Sequence, residues 1–94
     1  MAQRAAIFVF GQHGCPACSE YIPRFKRIAG PFRRQLPIGV YDIARDGRHA
    51  LQLANDMRIR ATPTTVVLRG NAVRSFVGAL PDAQVRALLE SATR

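Results

Sequence analysis

The only two cysteines of this 94-residue chain stand three apart, as Cys15-Pro16-Ala17-Cys18, between the apolar run Ile7-Phe8-Val9-Phe10 and a stretch with helical periodicity. Residues three apart share one face of a helix, so two thiols at this spacing can close a small disulfide ring without moving the rest of the fold. The first of them falls among the unpaired N–H groups of a helix N-terminus, where partial positive charge favours thiolate, the form that attacks disulfides. Pro16 suits the first helical turn, where its missing N–H costs nothing and its fixed φ helps start the helix. A thiol–disulfide redox site is the leading reading. Half of a zinc site has the same spacing, and His13 and His49 complete a four-ligand set on paper, but His13-x-Cys15 is cramped and His49 is remote. An inert pair of core cysteines is the other rival.

Length allows one domain, 1–94. With 48% apolar residues the chain can build a core, and two cysteines cannot make a multi-disulfide framework. Met1-Ala2-Gln3-Arg4 leads into an apolar segment, Ala5 to Gly11, that is too short to span a membrane and lacks a secretory cleavage pattern. A cytoplasmic location is the default expectation, where thiols are kept reduced and a cysteine pair is more often catalytic than structural.

Net charge is +8, and thirteen of the fourteen basic residues are arginine. That balance raises the prior for acidic partners, nucleic acid included. The arginines are scattered, however, and only Arg24-Phe25-Lys26-Arg27 with Arg33-Arg34 forms a cluster. Arginine-rich solvated faces are the plainer explanation, with a basic surface that recruits acidic protein substrates as the alternative.

Ala5 to Phe10 reads as a first strand buried on both sides, and Gly11-Gln12-His13-Gly14 as the turn leading to the cysteines. From Cys15 to about Ala29, Cys18, Ile22, Phe25 and Ile28 give one apolar helical face; Pro23 is expected to kink this helix and Gly30-Pro31 to stop it. A second strand is expected over Pro37 to Ile43, and after Asp46-Gly47 a second helix over about Arg48 to Met57, with Leu51, Ala54 and Met57/Arg58 inward. Pro63 before Thr64-Thr65-Val66-Val67-Leu68 marks a strand start, Gly70-Asn71 a hairpin, and Ala72 to Val77 the returning strand. Gly78 is expected to be a bulge or close-packing position. The last helix begins near Pro81-Asp82, with the proline and an acidic residue in its first turn and Val85, Leu88, Leu89 and Ala92 as its buried stripe. The order is β-α-β-α-β-β-α, an α/β chain whose helix-joined strands are parallel and whose closing hairpin is antiparallel. The cysteines sit at the C-terminal end of the first strand, where open α/β sheets place their sites.

This order, with Cys15-Pro16-Ala17-Cys18 after the first strand and Ala61-Thr62-Pro63 before the third, resembles the thioredoxin superfamily over nearly the full length. Ile59-Arg60-Ala61-Thr62-Pro63-Thr64 looks like the loop carrying that family's cis-proline, Val77-Gly78-Ala79-Leu80 looks like thioredoxin's segment before its last helix, and Pro23 stands where thioredoxins keep a helix kink. The resemblance implies the minimal thioredoxin fold, a four-stranded mixed sheet flanked by three helices. It implies a cis Pro63 facing the cysteines, with Thr62 offering backbone to a substrate chain and Pro16 and Ala17 beside it. An ordinary trans proline at a strand start is the plainer reading of Pro63 alone. Cys15 is then the attacking thiolate and Cys18 the buried resolving thiol, with no cofactor and no metal.

The implied partners are a disulfide-containing protein substrate and, as electron donor, a thioredoxin-reductase-type enzyme or glutathione. The chain is expected to act as a monomer, without a membrane. A glutaredoxin-type reductase of glutathione mixed disulfides, or a non-catalytic module of this fold binding an acidic partner, are the alternatives. Several positions depart from the family pattern. Gly14 stands where thioredoxins have tryptophan, Pro-Ala replaces Gly-Pro between the cysteines, and Val9 replaces the buried acid that assists the resolving thiol. Gly78-Ala79-Leu80-Pro81-Asp82 lacks the glutaredoxin glutathione-binding pattern, and no lysine precedes the cysteines. His13 is a neighbour that could tune Cys15 or accept a proton, or a plain surface-turn histidine; Asp42 reads as a strand-end or turn residue.

Overall fold

The apolar run that precedes the cysteines forms an inner strand, and the other elements arrange themselves around it. The computed structural model describes residues 4–94; Met1 to Gln3, read above as the lead into the first strand, lie outside them. The elements are β1 (Ala5–Gly11), α1 (Pro16–Ala29), β2 (Ile38–Asp42), α2 (Gly47–Asp56), β3 (Thr64–Arg69), β4 (Ala72–Val77) and α3 (Asp82–Ala92), with a single 3-10 turn at Gly30–Phe32 after α1. The sheet order is β2-β1-β3-β4. β1 and β2 run parallel in the register Val9↔Val40, Gly11↔Asp42. β3 is antiparallel to both β1 and β4. The expectation that helix-joined strands are parallel therefore holds for β1 and β2. It is corrected for β2 and β3, which α2 joins but which lie on opposite sides of β1 and run in opposite directions.

Strand alternation divides the core into two layers. Ile7 and Val9 face one side with Tyr21, Phe25 and Ile28 of α1 and Val85 and Leu89 of α3. Phe10 faces the other with Val66 and Ala54 of α2. β1 therefore needs apolar residues at consecutive positions, which is why its sequence is a run and not an alternation. Each fully buried large side chain here contributes about 1.5–3 kcal/mol. Helix α1 passes through Pro23 without ending, because Phe25, Ile28 and Ala29 beyond it continue the buried face that Cys18 and Tyr21 begin.

Three further expectations are corrected. Leu51 is 47% exposed, and the buried positions of α2 are Ala50 and Ala54, which share one helix face at i, i+4 and leave Leu51 off it. Gly78 is neither a bulge nor a tight contact: β3 and β4 pair without interruption from Thr64↔Val77 to Arg69↔Ala72, and a Cβ at Gly78 would meet only open space. Its φ of +99° is what calls for glycine. Pro81 precedes α3 as its N-cap, one residue before the first turn, and Asp82 begins the helix.

The basic cluster is also smaller than its sequence suggests. Arg24 donates to both carboxylate oxygens of Glu20 at 2.8 Å, to Asp82 Oδ1 at 2.8 Å and to the Leu80 carbonyl at 2.5 Å, tying α1 to the start of α3. Its guanidinium also lies 5.3 Å from the Tyr21 ring centroid. This arginine is engaged internally and is not available to an acidic partner. The hydrogen bonds from Arg24 hold the carboxyls of Glu20 and Asp82 below the ordinary carboxylate range. A carboxyl depressed on folding stabilises the fold above its unfolded pKa of about 4, and that contribution disappears as pH falls through the lower folded value. Arg24→Met is therefore expected to lower the urea midpoint at neutral pH, with the gap to wild type narrowing as pH falls below the ordinary carboxylate range. A gap that stays constant as the carboxyls are protonated would contradict this linkage.

Candidate active site

The end of β1, the start of α1 and the loop before β3 meet at one end of the sheet, at its two inner strands. Gly14 enters this junction with φ +84°, a conformation that L side chains rarely adopt, so the turn calls for glycine here. Cys15 then acts as the N-cap of α1: its backbone is extended (φ −93°, ψ 109°), and its sulfur accepts the backbone N–H of Cys18 at 3.2 Å. Pro16 occupies the first turn, as the spacing predicts. Pro16 and Ala17 are exposed on the outer surface of that turn. Cys15 is half-buried and Cys18 only 4% exposed. The two are joined as a disulfide, with Cα atoms 5.2 Å apart.

The second motif closes the other side. The Thr62 carbonyl oxygen lies 3.6 Å from Cys15 Sγ, and the Thr62–Pro63 peptide bond is cis. The Pro63 side chain is fully buried. Its carbonyl accepts the Gly78 N–H at 2.8 Å, and Thr64 Oγ1 donates to the Ala61 carbonyl at 2.6 Å, so the loop is fixed to both its neighbours. Tyr21, one helical turn beyond Cys18, forms a buried 2.8 Å hydrogen bond with Thr65 Oγ1 and links α1 to β3 behind the site. Burial pushes the Tyr21 phenol up, with the Thr65 hydrogen bond opposing it. Sequence reasoning missed Tyr21; the signal was its place three residues after Cys18 with a polar tip on an otherwise apolar side chain.

A cleft of about 360 Å³ opens beside Cys18, between the Gly11–Gly14 turn, α1 and the end of β2. Its walls include His13, Lys26, Tyr41, Asp42 and Asp46. His13 is exposed on the turn, and His49 is exposed on α2. Among the described residues no group of three or more His, Cys, Asp or Glu side chains comes together to hold a metal ion. Val9, at the position matched to the family's buried acid, is fully buried and pairs with Val40. No carboxylate lies at that point of the sheet.

No protein-family model matches the chain, and no curated protein matches it. Solved structures do. A thioredoxin from Malassezia sympodialis superposes with a TM-score of 0.77 at 22% identity, covering 99% of this chain and 78% of its own. Fasciola hepatica thioredoxin gives 0.76 at 18%, covering 95% and 81%. Thioredoxin O2 of Arabidopsis thaliana in its oxidized state gives 0.75 at 16%, covering 97% and 76%. The chain has the thioredoxin fold: three helices on an open, four-stranded mixed sheet. Cys15 and Cys18 form a close Cys-x-x-Cys pair at the head of its first helix.

Chemically, the pair can exchange two electrons by opening and closing one sulfur–sulfur bond. The two sulfurs are unequal. One is partly accessible and accepts a backbone N–H at a helix N-terminus, and the other is enclosed. None of the described helices is long and apolar enough to cross a membrane.

Proposed function

We propose that the chain is a thiol–disulfide oxidoreductase that reduces protein disulfides, with Cys15 as nucleophile and Cys18 as resolving thiol. The observation that carries this reading is the asymmetry of the pair: Cys15 Sγ accepts the Cys18 N–H at the head of α1 while Cys18 itself is buried. A hydrogen bond donated to sulfur at a helix N-terminus favours its anion, so the accessible sulfur is also the activated one. The Cys15 thiolate attacks a substrate disulfide, forming a mixed disulfide and releasing one substrate thiolate. Cys18 then attacks Cys15 Sγ, closing the intramolecular bond and releasing the second.

Thr62, 3.6 Å away through its carbonyl, and the buried Pro63 form the wall against which an extended substrate chain lies, with Pro16 and Ala17 on the opposite rim. Main-chain pairing of this kind supplies affinity without demanding a particular sequence. The reaction needs no cofactor, and it suits a reducing compartment such as the cytoplasm, where a donor returns the pair to the dithiol.

The experiment is a coupled disulfide-reduction assay offering a thioredoxin-reductase-type donor and glutathione separately, with Cys15→Ser as control. Turnover is expected with the reductase-type donor and not with the Cys15→Ser variant. Turnover from glutathione alone would make the protein a glutaredoxin-type enzyme. Absence of turnover with either donor would refute the reading.

A further inference from the structure

The second half of disulfide exchange needs Cys18 as a thiolate, and Cys18 is buried with valines at the paired positions 9 and 40 of the neighbouring strands. Paired residues of parallel strands point to the same face of a sheet. Ile7 and Val9 of β1 and Ile38 and Val40 of β2 all pack into the layer that contains α1, and Gly11 with its partner Asp42 continues that row at the strand ends. Gly11 has no side chain: a Cβ there would stand 3.5 Å from Cys18 Sγ and 2.5 Å from Ile22 Cδ1. Beside the sulfur, the row is therefore empty at Gly11 and next occupied by Asp42. Both Cys18 and Asp42 line the cleft that results.

Asp42 is half-buried, and its carboxylate is held in place through Oδ1, which accepts the N–H groups of Ala44 at 2.8 Å and Arg45 at 3.1 Å. The other ionisable groups around the cleft are Lys26 on α1, His13 and Tyr41, and Asp46, whose Oδ2 accepts the Asp42 N–H at 2.6 Å. His13 and Asp46 are exposed at the rim. The Lys26 ammonium on the α1 wall is a positive charge that favours an anion in the cleft.

We propose that Asp42 is the proton acceptor for Cys18, acting across the gap at Gly11 through the solvent of the cleft. This rests on the redox reading above and supplies the group that Val9 does not. In the resolving step the Cys18 thiol proton passes to the Asp42 carboxylate. The Cys18 electron pair forms the bond to Cys15 Sγ, the bond from Cys15 to the substrate sulfur breaks, and that sulfur leaves as a thiolate that takes up a proton. Two electrons pass from the dithiol to the substrate, and Asp42 returns its proton to solvent.

Asp42→Asn tests this without dismantling the turn, because the asparagine oxygen still accepts from Ala44 and Arg45. In a single turnover of the reduced protein with a symmetric chromogenic aryl disulfide, attack by Cys15 releases the first aryl thiolate and resolution by Cys18 the second. In Asp42→Asn the first release is expected to keep its wild-type rate. The second is expected to slow about tenfold or more at neutral pH and to recover as pH rises and hydroxide replaces the carboxylate. His13→Gln and Asp46→Asn are expected to leave both releases unchanged. A second release with the wild-type rate and pH profile in Asp42→Asn, equal slowing of both releases, or a loss that follows His13 instead would overturn the proposal. A wild-type protein that gives no first release would refute the redox reading itself.

Discussion

Cys15→Ser is expected to abolish disulfide reduction, by roughly three orders of magnitude or more, the scale on which loss of a covalent nucleophile acts. The reason lies in the difference between the two sulfurs. Only Cys15 combines partial exposure with the Cys18 N–H at 3.2 Å and a place at the N-cap of α1. A serine hydroxyl there accepts the same N–H and caps the helix, so the fold and its stability should be almost unchanged while the chemistry is lost. Cys18→Ser is expected to fail differently: the first attack proceeds, the resolving sulfur is missing, and the protein accumulates as a mixed disulfide through Cys15. Stopped assays that measure multiple-turnover reduction in both variants, together with their urea midpoints, separate this from a folding defect. Retained turnover in Cys15→Ser would contradict it.

Phe10→Ala is the substitution expected to harm stability most. Phe10 is fully buried, stacks on Tyr41 with ring centroids 5.6 Å apart, and anchors the layer in which only Ala54 and Val66 join it as buried members. Removing an aromatic side chain from such a site leaves a cavity that two small neighbours cannot fill, at a cost of about 3–5 kcal/mol. Domains of this size are stable by only about 5–15 kcal/mol, so the loss is a large share of the total. The urea midpoint should fall steeply with the slope unchanged. Because β1 leads directly from Phe10 through Gly11 to the cysteine turn, activity should fall with the folded fraction and not before it. A midpoint within error of wild type would show that α2 does not depend on Phe10 for its packing.

Much of the fold was legible because the decisive signals are local. A short apolar run, two cysteines at helical spacing, Gly70-Asn71 before a returning strand and Pro63 before a β-branched run each fix one element, and together they give the element order, though not the direction of β3 against β2. Tertiary packing decided the rest. Leu51 reads as inward on periodicity, yet the buried face of α2 is the one carrying Ala50 and Ala54, and Leu51 is left outside. Arg24 reads as part of a basic surface because its partner Asp82 is 58 residues away in sequence. Gly78 reads as a packing glycine, while its backbone angle is the actual reason for it.

At the site, the cysteines and Thr62-Pro63 were legible as motifs. The row from Val9 and Val40 to Gly11 and Asp42 was not, because the register between β1 and β2 exists only in the folded sheet. Asp42 read alone is a turn residue, and its hydrogen bonds to Ala44 and Arg45 agree with that. Only the folded sheet brings it to the cleft that Cys18 and the side-chain-free Gly11 also line.

The central claim, that Cys15 attacks and Cys18 resolves, is tested most directly by the mass of the protein after brief reaction with a disulfide substrate. Cys18→Ser should carry one covalent substrate adduct, mapped by peptide analysis to Cys15, while Cys15→Ser under the same conditions should carry none. An adduct on Cys18 in the Cys15→Ser variant, formed as fast as that on Cys15, would contradict the assignment of roles.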